Sequence, residues 1–458
     1  MKWQSHALAV VLVAAELGEP VARPALGATP PPARIAKGPY LTALSDSSVD
    51  VRFELDGAAP ATLDIAHEGS PPRAPPRSFQ DAAGATLHAF HATGLEPDAQ
   101  YSYVVHVANA AVAKGRFTTA SKPDSGAAVT FLVYGDNRSD PASHLALVRA
   151  LASTPSDFLV NTGDLVEDGA SAADWQSFFD TESSLLCEHP IFACIGNHEL
   201  YNDAAGANFA RYFGFADTSL QQHPYGTVRI AGVRFFFLSG SHDWRSGEER
   251  QWIEGALAAA DNEPGVTWRI AVVHHGPWSS GPHGPNASLV SARIPELLAA
   301  HKVDLILSGH DHIYERGDGG AIKYIVSGGG GAPLYPLGPP TATTRKAEAA
   351  HHFVEVVAKP DGIGIVAHRE DGSIMDQCAF AKNGPWDCDR TQAVAKGPPA
   401  EAIGSLLPSG GAPSSDRSFW RCGCQTPGHG VSVRWAAWPL LLLVLSGVAF
   451  GWRRPRPR

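Results

Sequence analysis

The amino-acid sequence predicts a multidomain chain in which a small all-β sandwich precedes a larger α/β unit. Three observations carry that prediction. Over residues 35–120, short segments alternate apolar and polar residues with period two, as in Val49-Asp50-Val51-Arg52-Phe53-Glu54-Leu55 and Tyr101-Ser102-Tyr103-Val104-Val105-His106-Val107. Over residues 127–382, continuous apolar runs of strand length alternate with helical stretches, the pattern of buried strands covered by helices. A content of 44% hydrophobic and 18% charged residues in 458 supplies large cores and excludes a disordered chain. The net charge of -10 argues against a general basic surface, so no nucleic-acid partner is expected.

The elements follow in chain order. Lys2 and an apolar run over residues 7–15 have the layout of a secretory signal, with a cut near residue 28; the alternative is a mobile N-terminal tail. In the β part, Pro and Gly clusters separate the strands, and Gly94-Leu95-Glu96-Pro97-Asp98-Ala99-Gln100-Tyr101 reads as a corner whose tyrosine packs back on the turn. Residues 121–127 form a linker. The α/β unit opens with the strand Val129-Thr130-Phe131-Leu132-Val133-Tyr134, followed by a helical pattern over 141–152. Further strands are expected at 157–160, 190–195, 233–238, 268–273, 303–307 and 322–326. Residues 383–419, rich in Gly, Pro, Ala and Ser, read as a flexible linker.

The C-terminal segment, 421–458, contains Arg421-Cys422-Gly423-Cys424, an uncharged stretch over 435–452 and an arginine-rich tail. That stretch is near the minimum length for a membrane span, and the positive tail would stay on the cytoplasmic side. The segment resembles the MYXO-CTERM sorting domain of myxobacterial surface proteins. The resemblance implies export, with the chain membrane-anchored or processed at Cys422 or Cys424. Of the other four cysteines, Cys187 with Cys194 and Cys378 with Cys388 are the local pairings among three connectivities. The absence of any Cys-x-x-Cys excludes a zinc finger.

Polar clusters end five of the strands in the α/β unit: Gly135-Asp136-Asn137-Arg138, Gly163-Asp164, Gly196-Asn197-His198-Glu199, His274-His275-Gly276-Pro277-Trp278 and Gly309-His310-Asp311-His312. Ligands of open α/β sheets bind at the carboxyl ends of strands. Carboxylate, amide oxygen and imidazole converging there suit Mn, Fe or Zn better than Ca or Mg alone. Two such ions would lower the pKa of a bound water and clamp a phosphoryl group in an in-line displacement.

That ordered set resembles the calcineurin-like metallophosphoesterases, and specifically purple acid phosphatases, over about residues 35–370. The most specific piece is Gly309-His310-Asp311-His312-Ile313-Tyr314-Glu315-Arg316, beside the family's Gly-His-x-His-x-Tyr-Glu-Arg. The resemblance implies a fibronectin-like N-terminal domain, a four-layer α/β/β/α sandwich and hydrolysis of a phosphate ester, with a phosphomonoesterase ahead of a phosphodiesterase or a degenerate binding module. It implies that Asp164 bridges two ions, that Asp136 and His312 belong to the first, and that Asn197, His310 and His275 belong to the second. His274 is then a neighbour that packs, hydrogen-bonds or adds a ligand. His198 and His283 are implied as catalytic groups that contact the substrate. Arg138 and Arg316 are either phosphate clamps or members of surface salt bridges. The sequence departs from the family where Glu167 replaces a metal-binding tyrosine and Arg138 replaces a histidine. Glu167, Asn137 or water would have to complete the first site, and no tyrosinate–iron colour is expected.

Overall fold

The computed structural model describes residues 33–68, 76–216, 222–240, 244 and 247–388. The expected signal segment, most of the 383–419 linker and the C-terminal sorting segment lie outside the described residues. Among the described residues no helix is long and apolar enough to cross a membrane.

Two antiparallel sheets make the N-terminal sandwich. One has the order Ile35–Thr42, Ser48–Leu55, Leu87–Thr93; the other runs Arg77–Asp81, Ala61–His67, Gln100–Val107, Ala110–Thr118. The period-two residues Val49, Val51, Phe53 and Tyr103, Val105, Val107 are all buried. The expected corner forms: the Tyr101 hydroxyl accepts the Glu96 N–H at 2.8 Å. The sandwich leans on the α/β unit, where Tyr40 is fully buried with Phe179 at 4.9 Å and Phe213 at 5.6 Å.

The α/β unit has two mixed sheets face to face. The first has the order Ile191–Ala193, Phe158–Asn161, Val129–Tyr134, His352–Lys359, Gly362–Arg369, Ile374–Phe380. The second runs Gly226–Ile230, Val233–Leu238, Trp268–Val273, Leu305–Ser308, Lys323–Ser327, Tyr314–Asp318, Thr344–Glu348. Alternate residues of one strand serve two cores: Phe131 and Val133 face the other sheet, whereas Leu132 and Tyr134 face the helices. Phe131 meets Phe235 of the second sheet edge-on at 5.2 Å. Helices Pro141–Ala152 and Ala172–Leu186 cover the first sheet; Glu248–Asp261 and Ile294–Ala300 cover the second. This is the expected four-layer α/β/β/α sandwich.

Local sequence sets the connections that matter for the site. Helix Pro141–Ala152 starts where expected because the Asp140 carboxylate accepts the Ala142 and Ser143 N–H groups and Pro141 needs no donor partner. Strands Val129–Tyr134, Phe158–Asn161 and Ile191–Ala193 are parallel, so their carboxyl ends share one edge. Trp268–Val273 and Leu305–Ser308 are parallel in the second sheet and deliver their ends likewise. The expected strands at 303–307 and 322–326 begin later, at Leu305 and Lys323, which pair in register. The expected Cys187–Cys194 pairing is corrected: Cys194 is a buried free thiol in the inter-sheet core, and Cys187 is disulfide-bonded elsewhere. Cys378 and Cys388 are joined as expected.

Candidate metal centre

At three strand ends the chain turns sharply, and Asp136, Asp164 and His310 adopt left-handed backbone with φ of 55°, 57° and 69°. Such conformations are costly for non-glycine residues and cluster at functional sites. Two adjoining glycines allow the turns to close. A Cβ at Gly196 would collide with the Asp164 carboxylate, and one at Gly309 with that of Asp136. The result is a cluster of carboxylates with almost no contact with water: Asp136 and Asp164 are 0% and 1% exposed. Unpaired carboxylates at that depth would be strongly destabilising, so the cluster requires cations.

The donors meet around His274. Its Nε2 lies 3.3 Å from Asp164 Oδ1, 3.1 Å from Asn197 Oδ1 and 3.2 Å from His310 Nδ1. An ion holding ligands at ~2.1 Å places neighbouring donors roughly 3.0–3.4 Å apart, depending on geometry. The observed edges fit that polyhedron, and ligand atoms of Asp136, Asp164 and His274 all lie within 4.8 Å of one another. These residues form a metal-binding site. His274 Nδ1 donates to the Thr162 carbonyl at 2.9 Å, which leaves Nε2 as the ligand atom.

Of the two adjacent histidines, His274 is the one whose ring nitrogen joins the Asp136–Asp164 cluster. The Nε2 of His275 donates to the Gly284 carbonyl at 3.0 Å, and its ring stacks on His310 with centroids 4.1 Å apart. His312 donates from Nδ1 to the Pro333 carbonyl at 2.7 Å, so its Nε2 faces Asp136 Oδ1 at 3.6 Å. Burial pushes the imidazoles of His310 and His312 down, the latter to about 4, which favours their neutral forms.

Charge is distributed unequally over the two carboxylates. Burial would raise Asp164, but His274, His198 and Arg138 hold it well below the ordinary carboxylate range. Burial raises Asp136 well above that range, and the charge of Asp164 adds to the effect. Burial opposes charge on His274 too, yet Asp164 and Asp136 outweigh it and raise the imidazole to about 10. A metal at Nε2 must displace that proton, so apparent affinity falls as pH drops below about 10, by about tenfold per pH unit from this group. Calorimetric Mn(II) titrations in buffers of different ionisation enthalpy should show at least one proton released per ion. Zero release contradicts ligation by His274.

The remaining expected residues divide in two. His198 donates its Nδ1–H to the Glu167 carbonyl at 2.7 Å, and its Nε2 stands 3.9 Å from Asp164 Oδ2 without joining the ligands. His283 lies at the rim, held through Nδ1 by Asp311 at 3.0 Å, with its ring 4.4 Å from that of His310. Arg138 enters the site: Nε lies 3.1 Å from Asp164 Oδ2, Nη1 2.9 Å from Glu167 and Nη2 3.5 Å from His312 Nε2. Glu167 thus pairs with Arg138, and Asn137 turns inward, accepting from Asn161 at 2.9 Å. Of the two alternatives for Arg316, the structure shows the salt bridge: Asp376 takes its Nε at 2.7 Å, and Trp386 lies under its guanidinium. The phenols of Tyr134 and Tyr314 donate to Glu182 and Asp376, so neither replaces the missing tyrosine ligand.

Two positioning residues were not singled out from sequence. Glu199 is fully buried and accepts the N–H groups of Asp164, Leu165, Val166 and Gly196 at 2.7–3.1 Å, pinning two strand-end loops. Asp311 accepts from Ser279 and orients His283. Their only sequence signal is adjacency: Glu199 follows His198, and Asp311 separates His310 from His312.

The chain is similar in sequence and fold to known proteins. Residues 129–314 match the family model for calcineurin-like phosphoesterases. Purple acid phosphatase 7 of Arabidopsis thaliana is 28% identical over 241 residues, covering 46% of this chain and 72% of that protein. The purple acid phosphatase from yellow lupin (Lupinus luteus) superposes with a TM-score of 0.64 at 16% identity, covering 77% of this chain and 75% of the other. A PhoD structure superposes at 0.60 with 12% identity over 78% and 92%. Residues 129–314 thus resemble calcineurin-like phosphoesterases, the chain is similar to purple acid phosphatases, and the matched region contains a buried Asp/His cluster able to hold a metal.

Proposed function

We propose that this protein is an exported, metal-dependent phosphomonoesterase of the acid-phosphatase type. The observation that carries the proposal is the convergence of Asp136, Asp164, Asn197, His274 and His310 from both sheets on one buried, polar point. A divalent ion of the Mn, Fe or Zn type bound there would supply Lewis-acid polarisation and lower the pKa of a coordinated water. The protein's own groups perform the rest of R–O–PO₃²⁻ + H₂O → R–OH + HPO₄²⁻. Arg138 offers guanidinium N–H groups to the phosphoryl oxygens. His283, oriented by Asp311, binds the phosphate from the rim. His198, fixed through Nδ1, presents Nε2 to the leaving oxygen and delivers a proton as the P–O bond breaks.

Export is supported by the Cys378–Cys388 disulfide, since such bonds persist in oxidising compartments. The substrate class is tested by the relative rates on p-nitrophenyl phosphate and bis-p-nitrophenyl phosphate. The proposal expects the monoester to be preferred at least tenfold in kcat/KM, and a preference for the diester overturns it.

A further inference from the structure

We propose that the Arg138 guanidinium occupies the position of the first of two expected ions, so that the centre works with one metal and one arginine. The inference rests on the metal-dependent function proposed above and concerns only what stands beside its ion. The donors assigned to a first ion are Asp136, Asp164 and His312. The guanidinium already contacts two of them, with Nε on Asp164 Oδ2 at 3.1 Å and Nη2 on His312 Nε2 at 3.5 Å. Asp164 therefore divides its oxygens: Oδ1 faces His274 and the metal position, and Oδ2 faces arginine.

The side chain is built into that place. It is only 11% exposed, Glu167 accepts from Nη1 at 2.9 Å, and Ser139 Oγ lies 3.1 Å from the same nitrogen. A guanidinium stays protonated in proteins, and its fork is held here by Asp164 and Glu167. Charge counting agrees. One divalent ion and the guanidinium balance the carboxylates of Asp136, Asp164 and Glu167. A second divalent ion at that place would stand against a cation that cannot deprotonate. Nη2 contacts only the His312 ring nitrogen among the described residues, so its N–H groups are the ones available to a phosphoryl oxygen. A planar, forked donor suits that task and delivers the positive charge a second ion would otherwise bring.

The test uses the full chain loaded with excess Mn(II) and gel-filtered. Mass-spectrometric metal analysis should give one Mn per protein, and paramagnetic resonance the hyperfine pattern of an isolated ion. R138H exchanges the guanidinium for a possible ligand and should bind two Mn with an exchange-coupled spectrum. Two coupled ions in the unaltered protein overturn the inference while leaving the proposed function intact. R138H remaining at one ion overturns the claim that the guanidinium excludes the second. A protein that binds no Mn and releases no phosphate instead overturns the metal-dependent function itself. Should R138H fail to fold, the stoichiometry and spectrum of the unaltered protein decide alone.

Discussion

Asp164→Asn abolishes metal binding and phosphate release together. The carboxylate holds the metal position through Oδ1 and Arg138 through Oδ2, and its Oδ1 also accepts the His198 N–H at 3.0 Å. The amide retains the shape but loses the charge that raises His274 and anchors Arg138. Loss of the ion forfeits several kcal/mol of charge stabilisation in the transition state, so turnover should fall by roughly 10⁴-fold or more. Metal analysis and p-nitrophenyl phosphate assays on a variant with unchanged circular dichroism provide the check. Turnover within tenfold of the unaltered protein would remove Asp164 from the centre.

His198→Ala separates chemistry from metal binding. Its Nε2 approaches Asp164 no closer than 3.9 Å, and its other nitrogen is committed to the Glu167 carbonyl. The variant should therefore keep its full metal content. Removal of a proton-transfer or electrostatic group typically costs 10²–10⁴ in rate, or about 3–5 kcal/mol. The loss should shrink for p-nitrophenyl phosphate, whose good leaving group needs little protonation, and be larger for an alkyl phosphate. Metal loss from this variant would make His198 a ligand, and an equal rate loss for both esters would deny it the role of acid.

Much of this arrangement was legible from residue order. Parallel buried strands announce themselves as apolar runs, and their polar ends must gather on one edge, which brings Asp136, Asp164, Asn197, His198, His310 and His312 together from sequence alone. What escaped depended on contacts between distant segments. His274 and His275 are neighbours on one strand end. Their roles are decided by which carbonyl each ring finds, Thr162 from the first sheet or Gly284 from the following loop. Arg316 ends the His310–His312 motif, and its choice between phosphate and salt bridge turns on Asp376, sixty residues later in sequence, which takes its guanidinium. Cys194 and Cys187 are close in sequence, but the strand Ile191–Ala193 leads Cys194 into the core between the sheets. The role of Glu199 consists of four backbone N–H groups from two loops, a pattern with no signature in side-chain order. The strands Tyr314–Asp318, Thr344–Glu348 and those over residues 352–380 complete the sheets through antiparallel pairings that periodicity alone did not bring out.

The most direct test of a metal-dependent phosphoesterase is activity as a function of bound ion. The protein is stripped with a chelator and then titrated with Mn(II) or Zn(II), while metal content and phosphate release from p-nitrophenyl phosphate are followed on the same samples. The stripped protein should be inactive, and activity should rise in proportion to occupancy of the Asp136, Asp164, Asn197, His274, His310 site, saturating when that site is full. Undiminished hydrolysis by protein shown to contain no metal would contradict the account.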